Sequence, residues 1–143
     1  MKQIKFLSYL FVAVLCLGFT SCSDDDDPTF EDSQVIGSWT VTERQGYEKY
    51  QGDTDSLDKK YEDGEWMFVF NNNNKGYQNE DGYTSTFDWN LKGNQLTMKI
   101  NSTSETFKIV HLNETNAVIE SKGESEYGDF YVKILLKKYS SPK

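Results

Sequence analysis

The chain has 143 residues and a formal net charge of −8, enough length for one domain. Hydrophobic residues make up 36% but aromatics 15%, a balance that excludes a disordered body and suits a thin-walled β protein filled by bulky rings. The acidic balance, unbroken by any cluster of Lys or Arg, argues against nucleic acid and anionic membrane surfaces as partners.

Lys2 and Lys5 precede an apolar run over Phe6–Phe19. At about fourteen residues the run is too short for a spanning helix and right for the core of a signal peptide. It ends in Phe19-Thr20-Ser21-Cys22, small residues ahead of a cysteine, which resembles a bacterial lipoprotein lipobox with Phe19 where Leu is usual. Residues 1–21 are therefore expected to be cleaved and Cys22 to be acylated. Cys16 competes for that role, but Leu15 precedes it where a small residue is needed. The alternative is ordinary secretion with one free thiol. Acyl chains, at about 0.8 kcal/mol per buried CH₂, hold a soluble domain on a membrane without a spanning helix. Residues 22–33 then form a lipidated tether whose aspartates, Asp24 to Asp27, repel one another and keep it extended. A Cys-Ser start followed by aspartates also resembles the signal that carries Bacteroidetes lipoproteins to the cell surface. The expected location is the outer membrane with the body facing outward; a periplasm-facing anchor is the alternative. Phe30 is expected to touch the end of the body.

The body, residues 34–143, reads as strands. Over Gln34–Glu43, Gly37, Trp39 and Val41 alternate with Ser38, Thr40 and Thr42, an inside–outside pattern. Arg44 and Gln45 are expected to lead out of this strand, with Gly46 as a turn or bulge. Tyr47–Gly64 shows no period and reads as a long loop, with a short strand near Tyr47–Tyr50. Trp66, Phe68 and Phe70 share one face of the next strand, Met67 and Val69 the other. Asn71–Gly76 and Asp81-Gly82 are turns by composition, and Gly76–Glu80 is a short strand between them. Tyr83, Ser85, Phe87, Trp89 and Leu91 then point inward, as do Leu96, Met98 and Ile100 after the turn at Lys92–Asn94. Phe107–Leu112, a short Ala117–Ser121 and a final Phe130–Tyr139 follow, with Lys122–Asp129 as a polar loop. In the last strand Phe130, Val132, Ile134 and Leu136 face one way, Lys133, Lys137 and Tyr139 the other. The count is about eight strands with no helix-period segment after the leader. The expected fold is all-β, an antiparallel up-and-down barrel whose closure removes exposed edges; a sandwich is the second choice.

These motifs together carry a family resemblance. Gly37-x-Trp39 on the first strand, Phe87-Asp88-Trp89 before a Gly-Asn turn, Leu96-x-Met98, Phe107-Lys108-Ile109-Val110-x-Leu112 and a lysine-rich closing strand resemble the lipocalin-like domain of Bacteroidetes lipoproteins, over Val35 to Tyr139. The resemblance implies a small calycin-type barrel with Trp39 plugging its closed end. The last strand has no arginine to stack on Trp39, the sole arginine being Arg44, and a stem from Lys133 or Lys137 is expected to cover the indole instead.

Little in the chain points to catalysis or metal binding. His111, the only histidine, falls in phase with Phe107 and Ile109 and is placed at a barrel mouth, without the partners of a zinc site or a catalytic triad. Asp53, Asp55 and Asp58 lack the glycine and glutamate spacing of a calcium loop. No catalytic residue, metal site or cofactor is expected. Asp55-Ser56-Leu57 resembles the Bacteroidetes O-glycosylation acceptor, with Ser56 as the attachment point. If Trp66, Phe68, Phe87 and Trp89 line a hollow, a small apolar ligand binds there; if eight strands leave room only for side chains, these rings fill it. The expectation is a monomeric, non-enzymatic, membrane-anchored binding module for a small apolar ligand or an accessory partner. The alternative is an interaction lipoprotein with a filled barrel that meets protein or glycan through its loops.

Overall fold

The computed structural model describes residues 28–139; the leader, Cys22 and the first part of the tether lie outside them. A one-turn helix, α1 (Asp32–Val35), opens this part of the chain. The Glu31 N–H donates to Gln34 Oε1 at 2.8 Å, a reciprocal device that fixes a helix too short to stand alone. Ten strands follow: β1 (Gly37–Tyr50), β2 (Asp53–Ser56), β3 (Lys59–Lys60), β4 (Trp66–Phe70), β5 (Lys75–Glu80), β6 (Tyr83–Lys92), β7 (Gln95–Ile100), β8 (Thr103–Leu112), β9 (Asn116–Ser125) and β10 (Gly128–Lys138). All pair antiparallel with their neighbours in the order β1, β4 to β10, and β10 returns to β1. The result is a closed eight-stranded antiparallel barrel, so the sandwich is set aside.

Turn chemistry sets the hairpins. Asp81 (φ 54°) and Gly82 (φ 88°) are the two loop residues between β5 and β6, the left-handed pair of a type I′ turn. Period-two alternation then puts Trp66, Phe68, Phe70, Phe87, Trp89, Leu96, Met98, Phe107, Ile109, Phe130, Val132, Ile134 and Leu136 in one buried core. Each Trp N–H is satisfied by hydrogen bonding: Trp39 donates to the Val35 carbonyl at 2.9 Å, Trp66 to Gln78 Oε1 at 3.1 Å, and Trp89 to the Asn71 and Lys75 carbonyls, each at 3.1 Å.

Several expectations are corrected. β1 does not stop at Arg44 but runs on to Tyr50, because β10 supplies partners from Lys138 back to Phe130. Gly46 is a pairing residue, not a turn: an added Cβ there would lie 2.0 Å from the Tyr131 carbonyl oxygen, so only glycine lets the two backbones meet. Tyr47–Gly64 is not a free loop. β2 and β3 extend the edge of β1 beyond the reach of the five-residue β4, and Leu57 and Tyr61 turn into the core. Thr40, expected outside, is fully covered, since this segment returns over it and the Gly64 N–H donates to Thr40 Oγ1 at 2.9 Å. Lys122–Asp129 is not a polar loop either: β9 and β10 run through it as a tight hairpin. Tyr83, expected inward, stands 81% exposed at the start of β6. Met67 and Val69 are only half-covered on the outer face.

Candidate functional site

The Trp39 end is closed from both sides of the chain. Val35 of α1 is buried against it, and Phe30 is tied to this end by its N–H to the Gly93 carbonyl at 3.0 Å, as expected for a residue touching the barrel. Lys138, opposite Trp39 in the β1–β10 register, places its ammonium 4.4 Å from the indole centroid and donates to the Ile36 carbonyl at 3.2 Å. The covering lysine is thus Lys138, not Lys133 or Lys137. It continues the inward phase of Ile134 and Leu136, whereas the other two lie on the outward phase.

Trp66, Phe68, Phe87 and Trp89 are all buried and belong to one aromatic chain. Ring centroids lie 5.4 Å apart for Trp66–Phe68 and 6.4 Å for Phe68–Phe87, and Phe70 meets Trp89 edge-on at 5.5 Å. Tyr61 caps the series 5.2 Å from Trp66. Among the described residues, two small spaces lie against the core side chains. One, about 30 Å³, lies among Val35, Trp39, Leu96, Ile109 and Leu136; the other, about 20 Å³, among Trp66, Gln78, Glu105, Phe107 and Ile134. Phe68 and Met98 border both. Of the four expected ligand residues, Trp66 and Phe68 border these spaces, Trp89 borders neither, and Phe87 borders a separate open hollow with Asn71, Lys75 and Lys99.

The barrel interior also holds polar residues, some of which alternation does not point inward. A bulge between Val41 and Glu43 shifts the phase of β1, so that even-numbered Arg44 and Glu48 turn inward after odd-numbered Trp39 and Val41. Arg44 Nε donates to the Leu57 carbonyl at 2.7 Å and so ties the β2–β3 segment to the barrel. Burial pushes the Tyr61 hydroxyl up to about 12, the nearby Arg44 charge opposing it. Glu105 pairs directly with Met98, which pairs with Trp89, so the three share one inward row across β8, β7 and β6. Glu105 is 4% exposed, its Oε2 has no hydrogen-bond partner, and burial alone raises its carboxyl to about 8. With β8 beginning at Thr103, the alternation Glu105-x-Phe107-x-Ile109 puts the carboxyl in the inward row.

The remaining candidates lie on the surface. His111 is exposed, its Nε2 3.1 Å from the Asn113 amide nitrogen, because a bulge between Ile109 and His111 takes it out of the inward phase. Ser56 is exposed on β2, its hydroxyl accepting from the Asp58 N–H at 3.2 Å. Asp58 itself accepts from the Gly46 N–H at 2.9 Å, a structural use of one of the three loop aspartates. Among the described residues no three His, Cys, Asp or Glu side chains converge as a metal site would require.

No protein-family model matches this chain, and no curated protein does. Among solved structures it is similar to bovine odorant-binding protein complexed with its natural ligand, at 13% identity and a TM-score of 0.46, over 87% of this chain and 80% of that one. The same protein in complex with a selenium-containing odorant gives 13% identity and a TM-score of 0.48, over 84% and 80% of the two chains. A deswapped triple mutant of it gives 14% and 0.46, over 77% of each. The likeness is one of fold, and no residue's role is transferred from it.

Proposed function

We propose that this protein is a non-enzymatic binding lipoprotein, acylated at Cys22 and displayed at the outer-membrane surface as a monomer, whose barrel takes a small apolar ligand. The observation that carries the binding reading is the pair of interior spaces that share Phe68 and Met98 in their walls. Met98 is the adaptable wall, being unbranched and free to change rotamer where neighbouring rings are not. The ligand enters where Met98 gives way, and its apolar body lies between Trp66 and Trp39. Native mass spectrometry of protein purified from its own host tests this: a retained small molecule supports it. Absence of any adduct, together with no uptake of apolar probes by Met98→Ala, overturns it.

One observation favours a second reading. The interior spaces, about 30 and 20 Å³, are water-sized, whereas ligand sites run to about 300 Å³ or more. A barrel that stays filled would meet a protein or glycan through its outer loops, and the same probe experiment returns that answer when nothing enters. The anchor has its own test. Cys22→Ala is expected to move the protein to the soluble fraction, and unchanged membrane partitioning refutes acylation. Exposed Ser56 is the proposed glycan acceptor, read by a mass shift that Ser56→Ala abolishes.

A further inference from the structure

We infer that the space beside Glu105 receives the head group of a linear aliphatic amine, its chain directed past Met98 toward Trp39. This rests on the ligand-binding reading above and specifies its chemistry. The space measures about 20 Å³, room for one group the size of water, which an ammonium matches. Its polar wall is unequal. Trp66 spends its N–H on Gln78 at 3.1 Å, while Glu105 keeps an unpartnered carboxyl oxygen under full burial. An unspent acceptor calls for a donor, and a charged donor makes the stronger bond. The rings of Trp66, Phe68 and Phe107 border the same space, and ring faces attract cations. Burial by itself keeps Glu105 protonated below about 8; an ammonium sends that proton to solvent and pairs with the carboxylate left behind, whereas a carboxylate head brings no charge to offset the ionised form. The formal charge of −8 adds a general bias toward cations at the molecule's surface. Beyond Met98 the second space is bordered by Trp39, Leu96, Ile109 and Leu136, all apolar, which suits an alkyl tail and no second polar group.

The test uses the full chain carrying Cys22→Ser, titrated with n-octylamine, n-octanol and octanoate, reading tryptophan emission and confirming each complex by native mass spectrometry. The amine is expected to bind about tenfold or more tightly than the alcohol, and octanoate not to bind. Glu105→Gln is expected to lose that advantage while still offering octanol an acceptor, and Glu105→Leu to weaken both the amine and the alcohol. Circular dichroism confirms that each variant keeps its β signal. If the amine binds no better than octanol or octanoate, or keeps its affinity in Glu105→Gln, the amine site is refuted while the ligand-binding reading stands. If none of the three enters the folded protein, both fail.

Discussion

Replacing Glu105 by glutamine is expected to invert the usual result of a core substitution and to stabilise the protein, but only at high pH. Glu105 is 4% exposed, and burial holds its carboxyl at about 8 instead of near 4.5. The folded chain therefore keeps a proton that the unfolded chain gives up. Between those two values the unfolded state binds fewer protons, so stability falls as pH rises through the window and levels off above about 8. A shift of this size corresponds to roughly 5 kcal/mol, an upper bound if water reaches the carboxylate once it ionises. Glutamine has nearly the same shape and does not titrate. At pH 5 the two proteins are expected to agree within about 1 kcal/mol; at pH 9 the variant is expected to be more stable by several. Urea midpoints across this range give the comparison directly, with the slope confirming that the unfolded states expose similar surface. Parallel profiles for the two proteins would show that Glu105 is ionised in the fold and would refute the burial argument.

Gly46→Ala should cost roughly 2–4 kcal/mol, since the added carbon meets the Tyr131 carbonyl at 2.0 Å and the backbone is already at φ 137°. Gly82→Ala, with open space around it, should cost about 1 kcal/mol from its left-handed backbone alone; equal thermal midpoints would refute the close approach of β1 and β10. Lys138→Ala should lose about 1 kcal/mol and open Trp39 to acrylamide quenching, while exposed Lys137→Ala changes neither. Met98→Ala should destabilise by about 2–5 kcal/mol and join the two interior spaces. An added apolar ligand should then recover part of the loss in a thermal-shift assay; no recovery, despite a folded variant, would favour the filled barrel.

Much of the wall was legible in the chain. Trp66, Phe68, Phe87, Trp89, Met98, Val132 and Ile134 occupy the faces that alternation assigns them, because a side chain's direction in a strand depends only on its neighbours along the chain. The turn at Asp81-Gly82 is equally local. Legibility ended where one strand answers to another. The bulges after Val41 and Ile109 change the phase of β1 and β8, and no run of single-chain alternation contains that change. Hence His111, in phase with Ile109 by alternation alone, stands exposed next to the end of β8, and Arg44 and Glu48 turn inward where alternation points them outward.

By itself, the sequence determined that this chain builds strands, that Asp81-Gly82 turns between two of them, and that Trp39, Trp66, Phe68, Phe87 and Trp89 are buried, since these follow from contacts within a few residues. Only the tertiary structure decided that β10 closes on β1, that Lys138 rather than another lysine covers Trp39, and that Arg44 and Glu48 turn inward behind the bulge in β1. Those outcomes belong to register between strands far apart in the chain, where a shift of one residue exchanges the inside for the outside.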